Sequence, residues 1–280
     1  MLTCEAAVYT PTTLDEALAL RAAHPDAAPL AGGTDLMVAI EMGAINPTAI
    51  LNLWSVRALA HISGDPEGGL RIGALATYTQ LIEDPRVQAV APTLVEASKT
   101  VGARQIQNRA TLAGNVANAS PAGDTLPVLL ALDAQIEVAS AARGDRLIPM
   151  DQLYLGYRKL SMLPDELITA VHLPPAHPAD HHHFRKVGTR LAQSISKVML
   201  GARLRVEKGV VTEARIAFGS VAPTPVRARA VEAALLGKPV DPNAAGLLHH
   251  DIAPIDDVRS SAVYRMVVAE RTLRGFLSSI

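Results

Sequence analysis

The chain has a single cysteine, Cys4, among its 280 residues. One thiol cannot form an intrachain disulfide, and it cannot hold an iron–sulfur cluster, because such clusters take several cysteine ligands. Aromatic residues make up only 3% of the sequence, which is few for a protein that stacks on nucleic-acid bases. The formal net charge is −1 at pH 7, so overall charge does not attract the chain to nucleic acid or to an acidic membrane. We therefore expect no nucleic-acid partner.

Long apolar runs are also missing. No stretch of 18 apolar residues is present, so we predict no membrane-spanning segment. The N-terminus lacks a basic start followed by an apolar run, which predicts the absence of a signal peptide and a cytoplasmic location. Hydrophobic residues nevertheless make up 49% of the sequence, enough for the core of one large domain or of two moderate ones.

Local patterns predict alternating strands and helices on either side of a proline-rich linker at residues 174–180. Before the linker, strands are predicted at residues 4–9, 27–31, 49–53, 70–75 and 134–139. Helices are predicted from Thr13 onward and at residues 37–42, 78–83, 87–99 and 124–132. After the linker we predict a hairpin of strands 196–206 and 211–221 that turns at Lys208-Gly209, and then helices at 226–236 and 261–277.

The first segment with chemical information is residues 29–36, PLAGGTDL, which follows a predicted strand. Glycine has no Cβ, so Gly32 and Gly33 let backbone N–H groups approach a diphosphate closely. Thr34 adds a hydroxyl donor, whereas the Asp35 carboxylate would repel a phosphate and is better suited to tying down the loop. The same residues also fit an ordinary strand-to-helix turn, because a Gly-Gly pair is a weak motif by itself.

The second segment is residues 109–127, RATLAGNVANASPAGDTLP. Thr111, Gly114 and Asn115 repeat the same chemistry in a predicted loop: a hydroxyl, a bare backbone and an amide. Asp124 lies at the predicted start of a helix, where its carboxylate can cap the helix or accept a hydrogen bond from a ribose or ribityl hydroxyl. Neither segment is GxGxxG or GxxxxGK[ST], so the sequence gives no support for a Rossmann or P-loop nucleotide site.

Taken together, the two segments resemble a known family. AGGTDL, followed about eighty residues later by ATLAGN and then SPAGD, is similar to the FAD-binding subunits of molybdenum hydroxylases such as xanthine dehydrogenases and carbon monoxide dehydrogenases. Three further stretches extend the resemblance over nearly the whole chain, namely IGALATYTQL at 72–81, GYRK at 156–159 and FRKVGTRLAQSISKV at 184–198. The chain departs from the family pattern at Ala113, where a glycine is common.

The resemblance implies an α+β fold. A two-lobed FAD-binding domain of the vanillyl-alcohol-oxidase or PCMH type would span residues 1–175, with lobes of about 1–56 and 57–175. A smaller C-terminal α/β domain, like that of the CO dehydrogenase flavoprotein, would span 176–280. The residues implied to wrap the FAD pyrophosphate are Ala31, Gly32, Gly33, Thr34, Asp35 and Leu36 together with Thr111, Ala113, Gly114 and Asn115.

Four more cofactor-binding residues are implied by the resemblance. Asp124 would hold a sugar or ribityl hydroxyl, Val101 would line the pocket ahead of the second segment, and Leu167 would touch the cofactor. Lys186 would lie near the isoalloxazine ring, where a cation stabilises the negative charge of reduced flavin. The alternative for Lys186 is an ordinary solvated lysine on a strand.

The resemblance also implies an electron-transfer subunit. Hydroxylation would take place in a molybdenum-binding large subunit, and electrons would pass through two [2Fe–2S] clusters of a small subunit to the FAD of this chain and on to NAD, a quinone or dioxygen. We expect a dimer of such heterotrimers. We assign this chain no catalytic residue and no metal site, since adjacent histidines at 181–183 would point to opposite faces of a strand. A self-sufficient flavin oxidoreductase of the same fold, and a module that has lost FAD, stay open as alternatives.

Overall fold

The computed structural model describes residues 6–191 and 193–280. Its elements form two N-terminal lobes and a C-terminal part, each built around a β-sheet. The first strand is described from Ala7 onward, so Cys4 and the start of that predicted strand lie outside the described residues. No helix of the described chain is both long and apolar enough to cross a membrane.

The first lobe is a small parallel sheet whose strands alternate with helices. Its elements are β1 Ala7–Tyr9, α1 Leu14–Ala23, β2 Ala28–Leu30, α2 Leu36–Glu41 and β3 Ala49–Asn52. The sheet order is β1-β3-β2, and both outer strands run parallel to β3. Thr13 begins α1 as predicted, because its side chain accepts a hydrogen bond from the Glu16 amide at 3.2 Å.

The second lobe is a five-stranded antiparallel sheet with helices packed against it. Two 3-10 turns, Leu53–Ser55 and Arg57–Ala60, lead into it. The strands are β4 Ile62–Gly64, β5 Leu70–Gly73, β6 Gln135–Ser140, β7 Gly144–Pro149, β8 Tyr154–Gly156, β9 Lys159–Leu160 and β10 Leu167–Leu173. The sheet order is β4-β5-β10-β6-β7, and β8 and β9 form a separate hairpin. The helices are α3 Tyr78–Glu83, α4 Pro85–Val90, α5 Pro92–Thr100, α6 Arg104–Gln107, α7 Leu112–Asn118, α8 Leu126–Ala131 and α9 Met150–Leu153.

The C-terminal part is a four-stranded antiparallel sheet covered on one face by helices. Its elements are β11 Asp180–Val187, β12 Val198–Glu207, β13 Val210–Gly219, β14 Val226–Arg227, α10 Arg229–Leu235, the 3-10 helix Pro242–His250 and α11 Ala262–Leu277. The strands follow one another in the order β11-β12-β13-β14. Lys208 and Gly209 both have positive φ, 51° and 78°, as a two-residue hairpin turn requires, so the predicted turn is confirmed.

The C-terminal sheet packs directly on helix α8 of the second lobe. A Cβ at Gly201 on β12 would lie 2.9 Å from the backbone of Pro127 and Val128, so only glycine permits this close approach. Phe184 of β11 packs against the N-terminal core, whereas Phe218 of β13 lies in a second core with α10 and α11. The two cores therefore meet across a single sheet, and β11 lies at its edge next to the second lobe.

Several predicted element boundaries are wrong for local reasons. The predicted helix 87–99 divides into α4 and α5, because Pro92 has no N–H to continue a helix and begins a new one. The predicted helix 226–236 begins only at Arg229, after β14. The predicted loop of the second segment is instead the start of α7, and the helix predicted from Asp124 begins at Leu126.

Candidate functional site

The two glycine-bearing segments lie against each other. A Cβ at Gly32 would be 1.8 Å from the carbonyl oxygen of Arg109, so no other residue fits without separating the segments. At the far end of α7, the Asn118 side-chain amide donates to the Asp35 carboxylate at 3.1 Å. Asp35 thus ties down the loop, as its charge indicated. These contacts lie just before α7 and at its last residue, so the first segment runs alongside that helix.

The first segment forms one wall of a cleft of about 310 Å³ at the carboxyl end of β2. Within the described residues, the backbone amides of Gly32, Gly33 and Thr34 donate to no protein acceptor. Gly33 has φ +78°, a left-handed conformation that favours glycine. Consecutive free amides beside a cleft suit an anionic ligand. The lining residues are Leu30, Ala31, Gly32, Gly33, Thr34, Met37, Asn52, Trp54 and Arg109.

The cleft is also lined by residues to which the sequence reasoning gave no role. The guanidinium of Arg109 lies 3.8 Å from the centre of the Trp54 ring, which is a close cation–π contact. Arg109 therefore holds a positive charge beside the free amides. Its position as the first residue of the second segment is a usable signal, whereas Asn52 and Trp54 reach the cleft only because β3 lies beside β2.

The second segment is shaped by its own hydrogen bonds. Thr111 is the N-cap of α7, and its hydroxyl accepts from the Gly114 amide at 3.0 Å. The Asn115 amide donates to the carbonyl of Thr111 at 3.1 Å. Two of the amides expected to face a diphosphate are therefore already bonded within the protein. The Thr111 hydroxyl, which acts as an acceptor in the cap, keeps its own hydrogen for a further partner.

Asn115 connects α7 to the loop that carries Asp124, later in the second segment. The Thr125 hydroxyl donates to the Asn115 side-chain oxygen at 2.8 Å. The Tyr78 hydroxyl lies 3.4 Å from the same Thr125 oxygen, and burial raises the pKa of this phenol well above its ordinary value, so Tyr78 is neutral. A buried polar chain thus fixes the loop next to α7.

Asp124 and Lys186 form a buried ion pair between the second lobe and β11. The Lys186 ammonium lies 2.5 Å from the Asp124 carboxylate, and the two side chains are only 4% and 11% exposed. Thr100 takes part with both groups: its hydroxyl donates to Asp124 at 3.3 Å, and its carbonyl accepts from Lys186 at 3.3 Å. Asp124 is therefore not a helix cap, and the alternative of a solvated Lys186 is wrong. Burial raises the pKa of the Asp124 carboxyl, although the adjacent ammonium opposes this.

The remaining implied site residues differ in their placement. Val101 is half-buried. It is the next residue after Thr100, which bonds to both members of the ion pair. Leu36 begins α2 at the end of the first segment. The side chains of Ala113 and Leu167 are 5% and 2% exposed and belong to the hydrophobic core. The structure does not bring these two side chains to the surface of the cleft.

Comparison with known proteins identifies the family that has this arrangement. Residues 4–176 match the model of a family described as the FAD binding domain in molybdopterin dehydrogenase. Residues 182–280 match the CO dehydrogenase flavoprotein C-terminal domain. The chain is 32% identical to the xanthine dehydrogenase FAD-binding subunit of Escherichia coli O157:H7, over 98% of this chain and 95% of that one. It is 30% identical to the nicotinate dehydrogenase FAD-subunit of Eubacterium barkeri, over 92% and 90%.

Solved structures support the same family assignment. The fold superposes on a chain of the carbon monoxide dehydrogenase of Hydrogenophaga pseudoflava with a TM-score of 0.94 and 28% identity, covering 99% of this chain and 98% of that one. For quinoline 2-oxidoreductase of Pseudomonas putida 86 the TM-score is 0.91 at 27% identity, covering 100% and 98%. This chain belongs to the family of FAD-binding subunits of molybdopterin-dependent dehydrogenases. The expected family, the α+β fold and the FAD cofactor are thereby confirmed, and the protein is an oxidoreductase subunit.

Proposed function

We propose that FAD binds across the two segments, with its diphosphate at the first segment and its flavin end towards Asp124 and Lys186. The observation that carries this proposal is the row of amides at Gly32, Gly33 and Thr34, which have no protein acceptor within the described residues. These residues line the cleft, and the packing of Gly32 on the Arg109 carbonyl leaves no room for a Cβ. The cationic Arg109, which also lines the cleft, favours the same anionic group. These features suit a diphosphate that is bound by backbone donors.

Lys186 supplies a charge suited to the flavin. Bound FAD would supply the one- and two-electron chemistry that amino-acid side chains lack. A buried ammonium stabilises negative charge on a neighbouring group more strongly than an exposed one, because little water screens it. Asp124 and Thr100 hold that ammonium in place on β11. We therefore propose that Lys186 raises the flavin potential and that Asp124 both orients Lys186 and accepts a hydrogen bond from the cofactor.

We further propose that the chain transfers electrons between partners and does not itself oxidise the organic substrate. The donor would be the [2Fe–2S] clusters of a small subunit, and the acceptor NAD or another oxidant. A large subunit would carry the molybdenum centre, and the assembly would be a dimer of heterotrimers. Support comes from the named relatives, which are FAD subunits of xanthine and nicotinate dehydrogenases, and from the single cysteine, which cannot bind the clusters.

The two domains are proposed to divide near residue 175. The two hydrophobic cores support this division, since β10 ends at Leu173 in the first core and β11 begins at Asp180 beside the second. Within the first domain, the 3-10 turns after β3 support a division of the lobes near residue 56.

Reconstitution tests the proposal. The purified full chain should take up one FAD, turn yellow and oxidise no purine, aldehyde or N-heterocycle by itself. Addition of separately purified molybdenum and [2Fe–2S] subunits should permit substrate to reduce the flavin anaerobically. A chain that ignores added FAD would reject the site, and substrate oxidation by the isolated, molybdenum-free chain would favour the self-sufficient flavin oxidoreductase.

A further inference from the structure

Asp35 of the first segment is held by a side-chain bridge that reaches a different part of the chain. The Asn118 amide nitrogen donates to the Asp35 carboxylate at 3.1 Å, and the Asn118 amide oxygen accepts from Arg158 Nη1 at 2.9 Å. Asn118 is the last residue of α7, and Arg158 lies at the tip of the β8–β9 hairpin. One amide thus links three separate segments.

The hairpin presents Arg158 through an unusual backbone conformation. Arg158 has φ +51°, in the left-handed region that residues other than glycine, asparagine and aspartate seldom adopt. Tyr157 beside it is 65% exposed, so apolar burial does not hold the hairpin tip. Within the described residues, the hydrogen bond from Arg158 to Asn118 is the one that joins this tip to the rest of the second lobe.

Arg158 also determines which way the Asn118 amide points. A guanidinium has donors only, so it selects the oxygen end of the amide. The NH₂ end is then left to donate to Asp35, whose carboxylate accepts only. Reversal of the amide would place an NH₂ against Arg158 and an oxygen against Asp35, and both hydrogen bonds would be lost.

We propose that Asn118 and Arg158 are positioning residues for FAD binding: they hold Asp35 and thereby fix the free amides of Gly32, Gly33 and Thr34 beside the cleft. This inference rests on the proposed FAD site at the first segment. The bridge adds to the two bonds that the Gly33 and Asp35 carbonyls accept from the amides of α2, because the three segment amides themselves have no protein acceptor within the described residues. The bridge is exposed, so the expected effect of losing it is modest, about three- to tenfold in Kd.

The experiment measures FAD affinity of the full chain, freed of flavin, by fluorescence titration. Asn118→Leu removes both hydrogen bonds without a change of charge, and Arg158→Asn removes the outer one while tolerating a positive φ. Each should raise Kd about three- to tenfold. Arg143→Leu is the matched control, since it breaks an exposed pair with Asp165 elsewhere in the lobe, and it should bind FAD like the wild type.

A swap of the two partners tests the geometry itself. In Asp35→Asn/Asn118→Asp, the amide at 35 donates to a carboxylate at 118, which still accepts from Arg158, so every hydrogen bond is restored with the net charge unchanged. Its Kd should return to within about twofold of the wild type.

The outcomes separate the two proposals. If the wild type binds no FAD, the proposed function fails and the bridge has no ligand to position. If the wild type binds FAD and Asn118→Leu and Arg158→Asn bind it equally well, the positioning role is refuted. A swap variant that stays as weak as Asn118→Leu also refutes it, because Asp35 would then act by its own charge and not through the bridge.

Discussion

The Lys186–Asp124 pair permits a prediction whose size follows from its burial. Lys186→Met leaves a carboxylate that is 11% exposed without its counter-ion, and of the described residues only Thr100 still donates to it, through its hydroxyl. Removing one partner of a buried pair costs about 3–5 kcal/mol, because the remaining charge cannot be hydrated. We expect a loss of that order in the free energy of unfolding of the flavin-free chain at pH 8.

The double variant Asp124→Asn/Lys186→Met should be more stable than Lys186→Met. It removes both charges, and a buried ion pair replaced by neutral groups often leaves stability nearly unchanged. Burial already raises the pKa of Asp124 in the presence of the ammonium, and loss of the ammonium raises it further. A protonated, neutral Asp124 therefore becomes accessible as the pH falls, so the deficit of Lys186→Met should shrink between pH 8 and pH 5.

Equilibrium urea unfolding, followed by circular dichroism at both pH values, measures these differences. Lys238→Met is the control, because Lys238 is exposed and its replacement should change stability by no more than about 0.5 kcal/mol. A loss of less than about 1 kcal/mol in Lys186→Met would refute the reasoning. A double variant as unstable as the single one would refute it too, since the unpaired charge could not then be the cause.

Three further predictions follow from the site and the sheet. Gly32→Ala should abolish FAD binding in the same titration, because its Cβ would collide with the Arg109 carbonyl, whereas Gly246→Ala, whose Cβ meets nothing within 4 Å, should bind normally. Burial would raise the pKa of Glu137, but hydrogen bonds led by that from Arg71 lower it to about 2 from its ordinary 4.5. A lowered folded-state pKa stabilises the fold above pH 4.5 and loses this effect as the pH falls towards 2, so Glu137→Gln should flatten the acid limb of a stability–pH profile. Acid precipitation should release all the flavin, and flavin retained in the pellet would contradict non-covalent binding.

Local sequence signals were enough for elements that neighbouring residues determine. The Lys208-Gly209 turn and the Thr13 cap depend on residues within one turn of each other, and both were predicted. The break at Pro92 is equally local, although the predicted helix 87–99 runs across it. The family, and with it the FAD cofactor, followed from two short segments and their spacing, because glycines at fixed distances reflect close backbone approach.

The sequence by itself therefore determined the fold class, the cofactor and the two chain segments that make the candidate site. Tertiary structure alone decided how they are joined. The Gly32 contact with Arg109 spans 77 positions, from 32 to 109, and the Lys186–Asp124 pair spans 62. No local pattern predicts either contact. The first arises when the two lobes bury their apolar faces against each other, and the second when the second lobe packs on the C-terminal sheet. Burial of that kind also explains the ion pair of Lys186 on β11. The packing removes its ammonium from water, and a charge removed from water must find a partner, which here is Asp124.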